Sequence, residues 1–350
     1  MTPPGRLGTT PDVHGLQTTS EHANPVSTAA LPTFPADFDL LAAMGSYIGS
    51  GPYCYVNSLA MMLGESSPSP GVIEVLTGSP FGFVLLGGTL PLFDPYGWTP
   101  EIGLDAAVEL LGWTCSRSDS DDPAEALAGL ITALATGPVL AGPLDMGLLL
   151  YQPGTPADFG DHYLVVLGIE DDTVLLHDPH GHPYATLPVE VFLRAWRGAG
   201  VPYIEAGYVL RAGFAVRAEV SAPDALRRSL PAAVAWLAGR ADVTVPPGTL
   251  GGTEAVERFA EQVEAGLPDG VRDHLAYFAI RVGARRLTDA AASLASLGLG
   301  AASAITTEQA RLVGSLQYPL VTGDSKAVAS SLRKLAPTYG QLAEVLDCTS

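Results

Sequence analysis

Residues 162–178 read HYLVVLGI, EDD, TVLLHD, two runs rich in β-branched residues around an acidic break, which is the pattern of a β-hairpin. This segment constrains the fold most, because it demands an antiparallel pairing and fixes which side chains can meet across it. A three-residue turn at 170–172 sets His162 opposite His180 and Asp178 opposite Leu164. His162 and Asp178 then share a face as diagonal neighbours about 7–8 Å apart. A two-residue turn would send them to opposite faces. Further strands are expected at Val139–Gly142 and Tyr208–Val216.

Ahead of these strands the patterning is helical. Cys54 follows Pro52 and opens a run in which Val56, Leu59, Ala60, Met62 and Leu63 recur at helical spacing until Gly64. Residues 70–98 are rich in Gly, Pro and aromatics and read as a long loop. Helices are expected at 101–112 and 122–136, the second opening after Asp119, Asp121 and Asp122, where negative charge suits a helix N-terminus. Helices first and strands later argue for an α+β domain. From Ser221 the chain turns to Ala, Leu and Arg, with stripes at Val256, Phe259, Val263 and Leu267, then Leu275, Phe278 and Val282, then Val328, Leu332 and Leu335 before Pro337 breaks the pattern. The expected organisation is a flexible N-terminal arm at 1–37, a domain at 38–220 and an all-helical C-terminal domain at 221–350.

Charge separates the two halves. Residues 1–210 hold four basic and 23 acidic residues, and the remainder holds 14 of each sign, so the whole net charge of −19 lies in the first part. Such a field disfavours nucleic acid and anionic membranes and favours cationic or amine-bearing ligands. Three widely spaced cysteines, Cys54, Cys115 and Cys348, form neither a disulfide framework nor a C-x-x-C metal pair. With no signal-peptide pattern and no apolar run of transmembrane length, a cytoplasmic chain with reduced thiols is expected, needing no cofactor and no membrane.

Three residues carry a coherent chemistry: Cys54, His162 and Asp178. A cysteine at a helix N-terminus sits where the macrodipole and free N–H groups favour the thiolate and can cradle an oxyanion. A histidine in reach takes the thiol proton, and a carboxylate fixes its tautomer. Read structurally instead, Cys54 is a small buried hydrophobe, His162 a strand residue and Asp178-Pro179 a turn. A metal reading rests on His177, Asp178, His180 and His182 in HDPHGH, but no second distant cluster completes a shell.

The segments GPYCYVNSLA, GPVLAGPLDMGLLLYQPG and DHYLVVLGIEDDTVLLHDPHG resemble the papain-like cysteine enzymes, more closely the butirosin-biosynthesis acyltransferase (BtrH-like) family than the bacteriocin-processing cysteine peptidases. The resemblance covers about Tyr47 to Arg217. It implies an α+β, papain-like cysteine protease fold with an additional all-helical C-terminal region, and Cys54, His162 and Asp178 as a triad. The processing peptidases carry a Gln several residues before the cysteine. Here Ile48 stands six residues before Cys54, and Tyr53 and Tyr55 replace the acidic residue and the glycine of their pattern. Tyr47, Ser50 and Asn57 are the candidate oxyanion donors. The loop 79–98, with Phe81 and Phe83, the segment Asp145–Tyr151 and Asp161 are the candidate substrate-binding elements.

The expected activity is acyl transfer in bacterial specialised metabolism. A thioester, on an acyl carrier protein for instance, would acylate Cys54, and an amine-bearing small molecule would accept the group. Arg227/Arg228, Arg285/Arg286 and Arg333/Lys334 are candidate docking points for the carrier, or else solvated helix faces. The alternatives are a peptidase, amidase or thioesterase using water as acceptor, and a papain-like binding protein without catalysis.

Overall fold

The computed structural model describes residues 53–152, 160–240 and 242–348, all within one compact unit; the arm expected at 1–37, Tyr47, Ser50 and Pro52 lie outside the described residues. Helix α1 (Cys54–Leu63) starts on the cysteine and ends at Gly64, whose φ of 59° is left-handed backbone that glycine adopts without steric cost. It buries Tyr55, Val56, Leu59 and Leu63.

The stretch from 70 to 98 is not one loop. Ser69 caps helix α2 (Pro70–Leu76) by accepting from the Val72 N–H, and Pro70 occupies the first turn, where a missing N–H costs nothing. Strands β1 (Val84–Leu86) and β2 (Leu90–Leu92) then pair antiparallel about Gly87 and Gly88, both at positive φ. The Gly and Pro content that read as loop is the punctuation of short elements. Helices α3 (Pro100–Leu110) and α4 (Pro123–Leu134) follow, capped by Thr99 and Asp122.

Six strands form the main sheet: β3 (Trp113–Ser118), β4 (Val139–Asp145), β5 (Asp161–Glu170), β6 (Thr173–Asp178), β7 (His182–Pro188) and β8 (Leu210–Val216). Their order is β3-β8-β4-β5-β6-β7, every neighbouring pair antiparallel, and α5 (Val189–Trp196) packs against β4. Helix α1 lies against β5 and β4.

The β5–β6 turn has two residues rather than the expected three. Asp171 and Asp172 occupy it with φ of 43° and 66°, and Glu170 faces Thr173. That register alone would separate His162 from Asp178. A bulge corrects it: Gly168 pairs with Leu175 while Val166 pairs with Leu176, so Leu167 is extra on β5 and Val165 comes to face His177. Beyond the bulge the pairing is the one a three-residue turn would have produced, and His162 and Asp178 share a face.

A second irregularity keeps β4 close to the same place. Register shifts between Ala141 and Leu144, and Gly142 lies at φ 146°. A Cβ on Gly142 would sit 2.6 Å from the Tyr163 ring and 2.8 Å from the His162 carbonyl oxygen, so glycine is required there.

The C-terminal region is built from α6 (Ala222–Ala238), the two-residue strand β9 (Leu250–Gly251) that completes a β2-β1-β9 sheet, α7 (Gly252–Ala265), α8 (Asp269–His274), a π-helical turn at Leu275–Ala279, α9 (Ile280–Ser296), α10 (Gly300–Ser315), α11 (Gln317–Thr322) and α12 (Ser325–Asp347). The molecule is mixed α+β, with a C-terminal region that is helical apart from β9. Pro337 does not end α12. The helix runs on for ten residues, held by buried Leu335, Ala336, Tyr339 and Leu342 on both sides of the proline, so packing outweighs a local cost of about 3 kcal/mol. Phe278, expected inside a stripe, is 41% exposed.

The helices share cores with the α+β part. Val282, Leu294 and Leu342 cluster with Val56, Leu59 and Ile73 of α1 and α2. Phe83, Leu85 and Phe93 are buried with Phe259 and Leu332. Among the described residues no helix is long and apolar enough to cross a membrane.

Candidate active site

Cys54 is the first residue of α1, half-buried, and no side chain caps the helix there. The opening N–H groups of a helix have no partner within it, and Cys54 sits at that end of α1. His162 comes from β5 and Asp178 from the end of β6, both buried. The His162 Nε2 lies 2.8 Å from Asp178 Oδ1. Cys54 is near enough to His162 to favour the charged ring, and with Nε2 engaged by Asp178 the Nδ1 edge is left to meet the sulfur.

Asp178 is held on every side. The His180 N–H donates to Oδ1 at 2.7 Å, the Tyr151 hydroxyl to Oδ2 at 2.9 Å, and the Gln152 amide also to Oδ2. Burial opposes the charged form, but the hydrogen bond and charge of His162, with the other donors, bring Asp178 down to about 2. Burial likewise opposes a charged His162, and the Asp178 hydrogen bond, followed by Cys54, overcomes it and raises the ring to about 10.

Cys54 opens on a cavity of about 260 Å3. Its wall is largely apolar, from Val84, Leu86 and Leu92 of the small sheet, Trp98, and Phe278 and Val282 of the helical region. Its polar groups include Asp94, Asp161, Tyr203 and Arg286. Arg286, from α9, is buried and bridges Glu74 Oε1 of α2 at 2.5 Å and Asp94; it also donates to the hydroxyl of Tyr55, the residue after Cys54. Burial and the neighbouring carboxylates Glu74 and Asp161 keep Asp94 raised to about 6 even though Arg286 pulls the other way.

Among the candidate substrate residues, Asp161 lines this cavity and accepts a hydrogen bond from Tyr203. Phe81 and Phe83 do not line it. They are 1% and 0% exposed and belong to the two cores, because the apolar side of that stretch is what anchors β1. Asn57, one turn into α1, faces a different groove with Tyr53 and Arg285. Asp145 accepts from the Gly147 N–H at the end of β4, starting the turn that carries Tyr151 and Gln152 back to Asp178. Tyr151 thus braces the carboxylate rather than lining the cavity.

The arginine pairs expected as docking points are mostly engaged. Arg286 is buried, Arg285 pairs with Asp289, Arg227 with Asp224 and Arg333 with Glu264. In the HDPHGH segment, His177 accepts from the Tyr184 N–H and Asp178 belongs to His162. Among the described residues no three His, Cys, Asp or Glu side chains are grouped so that they could hold a metal. Sequence reading missed Glu74, Gln152 and Tyr203 as contributors; it expected the loop holding Asp94 to line the pocket and gave Arg286 only a docking role. Gln152 lies in the YQPG segment, Asp94 in the 79–98 loop and Arg286 in one of the arginine pairs, but the contacts that join Arg286 to Glu74 and Asp94 span long stretches of chain.

The model of the YobF C-terminal domain matches residues 246–347. The uncharacterized protein YobF of Bacillus subtilis (strain 168) is 30% identical over 305 residues, spanning 83% of this chain and 94% of that protein. The chain belongs to the YobF family. In this family member the matched C-terminal domain begins just before β9 and ends with α12, and it supplies Phe278, Val282 and Arg286 to the cavity beside Cys54.

Proposed function

We propose that this chain is a cysteine-nucleophile acyl-transfer enzyme of papain-like architecture, moving an acyl group from a thioester through Cys54 to an amine. The observation that carries the reading is the buried His162–Asp178 hydrogen bond beside Cys54, which opens on a largely apolar cavity. The helix bearing Cys54 lies against the strand bearing His162, which is the disposition that the resemblance to papain-like acyltransferases implies.

The sulfur attacks the thioester carbonyl, and the free N–H groups at the start of α1 face the developing oxyanion. The C–S bond of the donor breaks, His162 gives its proton to the departing thiolate, and Asp178 holds the ring in place. The amine then attacks the acyl-enzyme, returning a proton to His162 and freeing Cys54. The apolar wall favours an acyl group over bulk water at the thioester, which supports transfer above hydrolysis.

Intact-mass spectrometry after mixing the protein with acyl-pantetheine thioesters, beside Cys54→Ala, tests this. An acyl adduct on the native chain and none on the variant is expected. No adduct, together with a Cys54 inert to iodoacetamide, would overturn the reading and leave a binding protein.

A further inference from the structure

We infer that Asp161 is a second base of this site, taking the proton that an ammonium acceptor must lose before it can attack. The inference rests on the acyl-transfer reading above. An alkylamine has a pKa near the lysine value of about 10.4 and reaches the site protonated at neutral pH. Forming an amide from it removes two protons from the nitrogen. His162 can take only one, since Asp178 is committed to holding it.

The other carboxylate placed for this is Asp161. It precedes His162 on β5 and lines the cavity on which Cys54 opens. Tyr203 donates to its Oδ2, and behind it the Tyr163 hydroxyl lies 3.3 Å from that of Tyr203 and donates to Glu101 Oε1 at 3.1 Å. Burial, then the charge of Asp161, pushes Tyr203 well above the ordinary phenol range, so Tyr203 stays a hydrogen-bond donor. Oδ1 is left as the oxygen an ammonium group would meet. Asp161 and Tyr203 also line a second cavity of about 150 Å3 with Asp145 and Gly160, a route by which the proton can leave. The other charged groups of the main cavity, Asp94 and Arg286, are paired with each other.

The balance is complete. The ammonium gives one proton to Asp161, and its nitrogen attacks the acyl-enzyme carbonyl. The C–S bond to Cys54 breaks, and the second N–H proton passes to neutral His162, restoring the imidazolium beside the Cys54 thiolate. Over both half-reactions a thioester and an ammonium ion become an amide, a thiol and one proton, which Asp161 releases.

The test compares two nucleophiles on chain pre-acylated with an acyl-pantetheine: ethylamine, an ammonium ion at pH 7, and hydroxylamine, which is neutral there. In Asp161→Asn the ratio of the ethylamine rate to the hydroxylamine rate should fall about 100-fold relative to the native chain. An unchanged ratio overturns the assignment. The native chain gives a second measurement that needs no variant. Its ethylamine rate should stay level between about pH 9 and 7, whereas a rate that drops about tenfold per unit with the free amine would remove the need for Asp161. A native chain that accepts no acyl group from any thioester overturns the acyl-transfer reading itself, and the second base with it.

Discussion

Asp178 accepts four hydrogen bonds, and that concentration of donors has thermodynamic consequences as well as geometric ones. His162 is raised from 6.5 to about 10, so the stability it contributes is full below pH 6.5 and is lost as pH rises through 10. Asp178 is lowered from 3.8 to about 2, so its contribution is present above pH 3.8 and is lost as pH falls through 2. Both are complete only between those inner values. Asp178→Asn should therefore cost about 3 kcal/mol in that window, since it leaves a buried imidazolium without its partner. Thermal melts of the native and variant chains from pH 5 to 10 check this: the gap in Tm should narrow as pH climbs toward 10, and a gap constant across that range would refute it. The places of Cys54, His162 and Asp178 in the fold, a helix start, a strand start and the end of a hairpin, were legible in the sequence. Tyr151 was noticed for the wrong role, since nothing in a linear pattern says that its hydroxyl turns toward Asp178.

At the scale of elements, position is decided by two departures from regularity in β4 and β5. The hairpin was legible in its alternation, yet the reason His162 and Asp178 share a face was not. The sequence reading invoked a three-residue turn, whereas the fold uses a two-residue turn with Leu167 bulged out. Both arrangements satisfy the same hydrophobic pattern, so only the packing of the sheet separates them. Gly142 is the matching device on β4. Gly142→Ala should destabilise by about 1–3 kcal/mol, because its Cβ would press on the Tyr163 ring and the His162 carbonyl. The rate of Cys54 alkylation by iodoacetamide should fall with it as β5 shifts. Gly129→Ala on α4 is the control: a Cβ there meets nothing within 4 Å and should leave Tm equal or raise it. Equal melting temperatures and alkylation rates for the two variants would show that β4 tolerates a side chain at this point.

At the scale of the whole molecule, the helical region is part of the site. Arg286 reaches from α9 to Glu74, Asp94 and the Tyr55 hydroxyl, tying the helix of Cys54 to the YobF C-terminal domain. Arg286→Met would leave two buried carboxylates without their cation, a loss of about 3–5 kcal/mol. Chemical denaturation of this variant, of Glu74→Gln and of the double variant measures the coupling. The double variant should recover part of the loss, and strict additivity would mean that the pair does not act as one. The sequence reading set these arginines on an outer face because an Arg on an Ala- and Leu-rich helix is usually solvated. Its partners Glu74 and Asp94 stand about two hundred residues earlier in the chain, beyond the reach of any local pattern.

What the sequence determined by itself was what local physics can encode: the helix that starts at Cys54 and stops at Gly64, the acidic turn between two apolar strands, the helical texture after Ser221, and the chemical character of Cys54, His162 and Asp178. The tertiary structure decided the rest. It chose the register of β5 against β6 through a bulge, carried α12 through Pro337, buried Phe81 and Phe83 in the cores, and brought Arg286 to Glu74 and Asp94. Those outcomes depend on burial shared among distant segments, and that free energy exists only once the segments have met.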